Sequence, residues 1–286
     1  MKTKDRQVLL HLVLVLLVVI SLFPIVFALS NSFKSLEESF NNVLSLIPKS
    51  PTLSNYLYVF SRLPLFKIIF NTFTIAFIVT TVKIITSVLA SYSLVYYDFK
   101  GKNFIYLVFL TTMFIPFTVT MIPNYLIVSK LGLTDSIWGV MLPQFADVLG
   151  IFLLRQSMRT IPKSIIEVAK IDGVGEGHIL LDIILPILRP SMISTAIIFF
   201  INSWNEYVWP VLIISSQDHY TLSLALQMFI SSEGGTEFPI AMAVSVITMI
   251  IPLVLFLLFQ RHIIGGFRCL GQDMGNFCWC KVFKIS

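Results

Sequence analysis

The sequence predicts an all-α membrane protein with six transmembrane helices, and three observations support this fold class. Of the 286 residues, 56% are hydrophobic and 12% are charged, and the mean hydropathy is +0.88, whereas a soluble domain carries about 25% charged residues. Long apolar stretches recur along the chain, close to the roughly 20 residues that one helical crossing requires. Lys and Arg are concentrated in alternate connections between these stretches. We therefore expect one compact helical bundle in a bilayer.

The apolar stretches define six predicted spans and three segments. The spans lie approximately at residues 8–29, 68–95, 104–122, 137–154, 191–214 and 240–259. The first stretch is longer than the 7–15 residues of a signal-peptide core and lacks a clean cleavage site, which predicts an uncleaved span. We expect residues 1–66 to form the first helix and an extracytoplasmic segment, 67–260 the transmembrane core, and 261–286 a cytoplasmic tail. The prolines at 24, 116, 210 and 252 need not end the helices, since neighbouring helices can satisfy the freed carbonyls.

The distribution of cations predicts the orientation. Of the 20 Lys and Arg residues, fourteen lie on the side of the N-terminus and five on the other side, and Lys83 lies within the second span. Cytoplasmic connections carry an excess of Lys and Arg, so both termini are predicted to be cytoplasmic. The net charge of +5 is explained by this asymmetry, and no nucleic-acid partner is expected.

The sequence lacks the usual ATP-binding loop and a good zinc site. No G-x-x-x-x-G-K-[ST] motif is present, so the chain is not expected to bind ATP phosphates itself, and no catalytic residue or cofactor is predicted. The cysteines, Cys269, Cys278 and Cys280, all lie in the last 18 residues. Three thiolates without a nearby histidine make a poor zinc site, so we predict no metal and interpret the tail as divergent or disordered.

The predicted cytoplasmic connection at residues 155–190 is long enough to suggest a partner. Pro162 suits a helix start, and Gly173 suits the left-handed position that ends a helix. A second short helix over 176–185 is expected to stop at Pro186. Spacing places Val168 and the small Ala169 on one face, which would allow close approach of a partner. The alternative is an amphipathic helix resting on lipid headgroups.

The spacing within this connection resembles a known signature. Glu167-Val168-Ala169, three residues, Gly173, nine residues and Ile183-Ile184-Leu185-Pro186 resemble the E-A-A, x3, G, x9, I-x-L-P pattern of membrane subunits of binding-protein-dependent ABC importers, with Val168 in place of the first alanine. The resemblance extends over nearly the whole chain. The chain is similar to the inner-membrane subunits of maltose and glycerol-3-phosphate importers, which belong to the carbohydrate-uptake branch. The resemblance is carried also by Asn71-Thr72, Ile122-Pro123, residues 152–155, Ile161-Pro162, Ile171-Asp172-Gly173, residues 203–210, Tyr220-Thr221-Leu222 and Gln260-Arg261.

The resemblance implies a type I ABC importer permease fold in a bacterial cytoplasmic membrane. It implies a second permease subunit, a dimer of a cytoplasmic ATPase that binds the ATP, and an extracytoplasmic substrate-binding protein, all in contact with membrane lipid. The cargo would be a sugar or a related polyol. The residues expected to couple the chain to the ATPase are Glu167, Ala169, Asp172, Gly173, Ile183, Leu185 and Pro186.

Polar residues in the fifth predicted span form a candidate substrate pathway. Asn202, Trp204, Asn205 and Glu206 could bind sugar hydroxyls and a sugar ring face, because an ionised Glu is costly in lipid and should face the bundle interior, a partner or water. The alternative is a structural hydrogen-bond cluster between helices.

Further charged residues have open roles. Asp147 invites the same argument as Glu206 but more weakly, and Lys83 is expected to be paired or to line the bundle interior, with its partner left open. Arg155 and Arg159 are interpreted as positive-inside anchors, with contact to the ATPase as the alternative. Asp172 and Glu176 could pair with basic groups on the motor or act as solvated caps.

Two other functions remain as alternatives to an importer permease. A carrier coupled to an ion gradient would place paired ionisable groups at mid-membrane near broken helices, and Lys83, Asp147 and Glu206 look scattered in sequence. A membrane sensor or scaffold would transport nothing.

Overall fold

The computed structural model of the protein describes residues 3–42, 44–231 and 238–271, with side chains described for 7–42, 44–227 and 238–258. These residues form helices and connections without a strand, which confirms the predicted all-α fold. The α-helices of the described residues are α1 (Thr3–Ser32), α2 (Leu36–Asn41), α3 (Ser54–Arg62), α4 (Leu65–Tyr96), α5 (Lys102–Thr112), α6 (Phe117–Lys130), α7 (Ile137–Met141), α8 (Val148–Arg159), α9 (Lys163–Ile171), α10 (Glu176–His178), α11 (Leu185–Asn205), α12 (Val208–Ile213), α13 (Leu222–Ser231) and α14 (Phe238–Gly271). Short 3₁₀ helices lie at Leu142–Gln144 and Gln217–His219, and a π-helical stretch, Ile179–Ile184, joins α10 to α11.

Four helical runs among the described residues are long and apolar enough to cross a bilayer. They are Gln7–Ser32, Leu65–Tyr96, Glu176–Asn205 and Phe238–Leu258. Two further helix pairs are bent, by 97° between α5 and α6 and by 44° between Ile137–Gln144 and α8, and they raise the number to six if each pair is one span. The six-span count therefore stays a prediction.

The 97° bend corrects the continuous span predicted at residues 104–122. Helix α5 ends at Thr112, and Pro116 takes an extended conformation (φ −60°, ψ 141°) before α6 begins. Proline has no N–H to continue the helical hydrogen bonds, so the break falls there. Pro24 and Pro252, by contrast, lie inside continuous helices, as predicted.

The described residues divide into two compact units. The first contains the described residues up to Thr74, Asp135–Ile137 and the described residues of Asn205–Leu253. Within it, Asn71 at the start of α4 donates to the carbonyl oxygens of Asp218 (2.9 Å) and Tyr220 (3.3 Å). The hydroxyl of Thr72 accepts from the Leu222 N–H (2.9 Å). These bonds attach the start of α4 to the segment that leads into α13.

A buried cation organises the connection between α1 and α3 in this first unit. Lys34 has 0% exposure, and its Nζ donates to Asn31 Oδ1 (2.9 Å) and to the carbonyls of Asn42 (3.0 Å) and Ser45 (2.6 Å). A buried ammonium requires such partners. The connection is therefore a folded element with its own polar centre.

The second unit contains Ile75–Thr134, Trp138–Trp204 and the described residues from Val254 onward. Its core joins α4, α8, α9 and the run from α10 to α11. The buried members include Val88, Tyr92, Leu154, Met158, Ile166, Ala169, Ile179, Ile184 and Leu188. At Gly150 a Cβ would meet the Ser87 hydroxyl and the Phe199 ring (2.6 Å), so glycine permits the close approach of α8. Helix α9 thus packs on the same core as the long helices.

Candidate functional site

The connection at residues 163–176 forms a helix, a sharp turn and the start of a second helix. Helix α9 begins after Pro162 and ends before Gly173, which has a φ of 76°. The N–H of Gly173 donates to the Lys170 carbonyl (3.1 Å), and the N–H of Val174 to the Ala169 carbonyl (3.0 Å). These two bonds are the Schellman pattern of helix ends. The predicted left-handed turn at Gly173 is confirmed.

One face of α9 packs inside the protein. Ile166 and Ala169 are 4% and 7% exposed and belong to the core of the second unit, together with Ile179 and Ile184. Ile183 and Leu185 are partly buried and pack against the same core. The expectation that Ala169 offers close approach to a partner was wrong, because its small side chain faces the chain's own core.

The opposite face of α9 and the turn are open to the surroundings. Val168, Ile171 and Val174, which we call the outer face, are 57%, 84% and 37% exposed. Glu167, Asp172 and Gly173 are also exposed. Ile171 and Val174 were not among the residues predicted from sequence to couple the chain to the ATPase. The available signal was that both are apolar residues flanking Asp172-Gly173 in an otherwise polar turn.

Glu176 connects the two sides of the turn to α4. Its Oε1 lies 2.7 Å from Lys170 Nζ, and its Oε2 accepts from the Tyr92 hydroxyl at 2.7 Å. The hydrogen bond from Lys170 to Glu176 raises the pKa of that lysine. Two roles were predicted for Glu176, a contact with the motor and a solvated cap. Its pairing with Lys170 and Tyr92 within the chain matches neither role. The turn is thus hydrogen-bonded directly to the C-terminal part of the long helix α4.

The second helix does not stop at Pro186, so that prediction was wrong. The run from Glu176 to Asn205 is continuous, with the π-helical stretch Ile179–Ile184 directly before Pro186. A proline ring normally clashes with the carbonyl four residues earlier. That carbonyl, of Asp182, lies in the wider π turn, which accommodates Pro186 within the helix.

The residues predicted to line a substrate pathway lie at the end of α11. Asn202 and Asn205 are exposed, whereas Trp204 is 0% exposed and stacks on Phe200 with ring centroids 5.8 Å apart. The buried ring of Trp204 offers no open face in this structure. The pathway role of this set stays a prediction.

Glu206 occupies a break in the fifth predicted span. Helix α11 ends at Asn205, and Glu206 Oε1 accepts from the N–H groups of Val208 (2.9 Å) and Trp209 (3.3 Å) at the start of α12. The prediction of a continuous helix over 191–214 was wrong there. A carboxylate that binds free N–H groups favours a helix start, so Glu206 serves as a local cap.

Lys83 and Asp147 form an ion pair in the second unit. The distance from Lys83 Nζ to Asp147 Oδ2 is 3.0 Å, and the side chains are 11% and 27% exposed. Lys83 also lies 5.1 Å from the centre of the Phe199 ring, and Asp147 accepts from the Leu149 N–H (2.9 Å) as the cap of α8. The view that these two charges are scattered was wrong, because they are 64 residues apart in sequence but adjacent in space.

The cysteine tail lies largely outside the described residues. Cys278 and Cys280 fall beyond residue 271, and the side chain of Cys269 in α14 is not described. In the described part of the chain, no group of three His, Cys, Asp or Glu residues could hold a metal ion.

The fold and the sequence comparisons together assign the chain to a protein family. The long apolar helices define an integral membrane protein. The family described as "Binding-protein-dependent transport system inner membrane component" matches residues 83–268. Because this match covers more than half of the 286 residues, the chain belongs to that family. Its place in the inner membrane follows from the family.

Two relatives extend the similarity beyond the matched region. The chain is 34% identical over 250 residues to the arabinooligosaccharides transport system permease protein AraQ of Halalkalibacterium halodurans. The aligned region covers 86% of this chain and 89% of the relative. The chain is 33% identical over 264 residues to the sn-glycerol-3-phosphate transport system permease protein UgpE of Yersinia pestis bv. Antiqua, covering 90% and 94%.

The fold also matches solved importer structures. A bacterial ABC transporter involved in the import of the acidic polysaccharide alginate matches with a TM-score of 0.76 at 21% identity, over 91% of this chain and 98% of that chain. A second structure, of a bacterial alginate ABC transporter in complex with an alginate pentasaccharide-bound periplasmic protein, matches with a TM-score of 0.65 at 14% identity, over 91% and 96%. The predicted importer permease fold is confirmed.

Proposed function

We propose that the chain is a permease subunit of a sugar ABC importer and that the outer face docks it onto a separate ATPase. The observation that carries the proposal is the exposure of Ile171. Its side chain is 84% exposed, whereas the opposite face of the same helix, α9, is buried in the core. Together with the neighbouring exposed Val168 and Val174, Ile171 forms a contiguous apolar surface, and such a surface favours a protein partner. Membership in a transport family and the permease names of the relatives support it.

The proposed complex contains a second permease, a dimer of the ATPase and an extracytoplasmic substrate-binding protein. ATP binds to the ATPase, and this chain needs no cofactor and performs no catalysis. The complex of the alginate transporter with a periplasmic protein supports the binding-protein partner. The sugar or polyol class of cargo is supported by relatives named for arabinooligosaccharides and sn-glycerol-3-phosphate.

The contacts of Glu176 supply a route from the outer face to the transmembrane helices. A displacement of the turn would be transmitted to α4 through the hydrogen bond with Tyr92. It would be transmitted to α11 through the continuous helix that begins at Glu176. ATP binding then favours one of two states of the bundle, because a switch requires differential affinity for its states.

An ion-coupled carrier is the second candidate, and the Lys83–Asp147 pair favours it. Proteoliposomes that contain this chain with its second permease, ATPase and binding protein separate the two functions. Labelled arabino-oligosaccharide, glycerol-3-phosphate and alginate oligosaccharide serve as test cargoes. We expect uptake that requires ATP inside and is abolished by vanadate. Uptake on an ion gradient alone, insensitive to vanadate, would exclude the ABC importer.

A further inference from the structure

A cavity of about 340 Å³ lies in the second unit, where α4 ends, α5 begins and α8 ends. Its polar lining consists of Lys102, Asn103, Arg155, Arg159 and Lys163, and the rest of the wall is apolar. Among the described residues no carboxylate contributes to the lining. The volume lies in the range of small-molecule sites, and four cations around one cavity favour an anion.

Arg155, in the wall of this cavity, has a buried hydrogen-bond donor without a partner among the described residues. Its Nε is buried and has no hydrogen-bond partner among the described residues, and its guanidinium carbon lies 3.7 Å from the centre of the Tyr106 ring. Stacking on the ring fixes the plane of the guanidinium group. A buried donor without a partner is unfavourable, so an acceptor in the cavity would stabilise this arrangement.

The other cations add positive charge that the described residues do not neutralise. Arg155 and Arg159 are four residues apart on α8, where like charges repel. No carboxylate in the described parts of the chain lies within ion-pair distance of Arg155, Arg159 or Lys163.

Lys102 is the exception, because it donates to the Tyr97 carbonyl (2.7 Å) and to Asp98 (3.3 Å). Lys102 and Asn103 are also the first two residues of α5, whose Gly101 cap gives no side-chain hydrogen bond. The positive N-terminal end of the α5 helix dipole adds to the positive potential.

The cavity borders an apolar surface. On α5, directly after the polar lining, Phe104, Leu107 and Val108 are 70%, 57% and 42% exposed. A phospholipid combines an anionic phosphate with acyl chains, and basic pockets between membrane helices are suited to such headgroups. The cationic cavity and the apolar face of α5 match these two parts of one molecule.

We propose that this cavity binds a phosphate group, carried by the headgroup of an anionic phospholipid. Arg155 and Arg159 are the principal contacts, and Lys163 adds charge from the first turn of α9. Because Lys163 begins the helix that carries the outer face, an occupied cavity would stabilise α9 in its position. The binding claim does not depend on the proposed transport function.

Native mass spectrometry of the purified full-length chain with added phosphatidylglycerol or phosphatidylcholine tests the proposal. We expect the wild type to retain one phosphatidylglycerol in preference to phosphatidylcholine. The Arg155→Gln/Arg159→Gln variant should bind it about fivefold more weakly for each cation removed. Lys163→Gln, a change at an exposed side chain, should weaken binding about fivefold with little risk to folding. The control Arg189→Gln removes an exposed cation outside the cavity and should leave binding unchanged.

Inorganic phosphate, titrated into the lipid-free chain and followed by ³¹P NMR, distinguishes the two sources of the phosphate group. Binding of phosphatidylglycerol with little effect of inorganic phosphate supports the lipid headgroup. Binding of inorganic phosphate that the Arg155→Gln/Arg159→Gln change removes supports the phosphate site but assigns it to soluble phosphate. Equal retention of the two lipids without phosphate binding overturns the proposal, as does an equal loss in Arg189→Gln.

Discussion

Ile166 and Ile171 belong to the same helix but face different surroundings. Ile166 is 4% exposed within the core of the second unit, and Ile171 is 84% exposed on the outer face. We therefore expect the free energy of unfolding to depend on Ile166 and the binding of a partner to depend on Ile171.

The same substitution at these two positions should affect two different properties, stability at Ile166 and partner binding at Ile171. Ile166→Ala leaves a cavity and should cost about 2–5 kcal/mol of stability, whereas Ile171→Ala should change it by less than about 0.5 kcal/mol. Ile171→Ala should instead weaken co-purification with the ATPase. Thermal unfolding in detergent and pull-down of the ATPase measure the two effects. Wild-type retention of the ATPase by Ile171→Ala would count against docking at the outer face.

Asp135 gives the first unit a dependence on acid pH. Its Oδ1 accepts from the N–H groups of Ser216 (2.9 Å) and Ser215 (3.0 Å), which hold the pKa of this carboxyl at about 2. A lowered pKa means that the stabilisation is complete above the unfolded-state value of about 3.9 and is lost as the pH falls through about 2.

We expect the wild type to lose thermal stability between about pH 4 and about pH 2 more steeply than Asp135→Asn. Asparagine keeps the shape and tolerates the positive φ of 55° at this position, but it does not titrate. Melting curves over this pH range measure the difference. Parallel losses in both proteins would mean that Asp135 contributes nothing to the acid response.

The start of α10 is linked to α4 by a hydrogen bond, and the same residue, Glu176, pairs with Lys170 of α9. The Tyr92 hydroxyl donates to Glu176 at 2.7 Å, while the hydroxyl of Tyr96, one turn later, donates to the Met158 carbonyl at 3.1 Å. The two tyrosines are therefore matched in type and helix but differ in their contact with the turn.

Double-mutant cycles should detect this link. We expect an interaction free energy of about 1 kcal/mol between Tyr92→Phe and Glu176→Gln, since a bond to a charged group is stronger than a neutral one and Glu176 is partly exposed. The cycle of Tyr96→Phe with Glu176→Gln should give a value near zero. Unfolding of the four proteins of each cycle provides the numbers, and equal values would contradict a specific link.

Local chemistry made some elements predictable from sequence. The turn at Gly173 follows from a helical run that ends in the one residue that adopts a positive φ at little cost. The long helices follow from apolar length alone. The direction in which Ala169 faces and the pairing of Lys83 with Asp147 depend on contacts between distant segments. No periodicity within a single segment contains that information.

The predicted orientation of the chain in the membrane follows from the distribution of charge. The excess of Lys and Arg on the side of residues 155–190 predicts that the outer face is cytoplasmic. Two exposed positions report on the two sides, Ser50 in the first unit and Asp172 at the turn.

Single cysteines at these positions, in a chain whose three native cysteines are replaced by serine, test the orientation. An impermeant thiol reagent added to intact cells should label Ser50→Cys and should label Asp172→Cys only after the membrane is opened. The reverse pattern would place the outer face outside the cell.

The turn at Gly173 is the proposed coupling element between ATP hydrolysis by the partner ATPase and transport through this chain. A Cβ at Gly173 would meet nothing within 4 Å, so a side chain there projects outward beside the outer face, in a left-handed conformation that costs other residues about 1–2 kcal/mol. Gly173→Asp adds a charge at that point, and Gly173→Asn adds the same shape without the charge.

The most direct measurement is the ratio of sugar uptake to ATP hydrolysis in proteoliposomes with Gly173→Asp. We predict a subunit that inserts normally but loses uptake relative to hydrolysis, with Gly173→Asn retaining more uptake than Gly173→Asp. Wild-type uptake per ATP in Gly173→Asp would contradict coupling through the turn at Gly173.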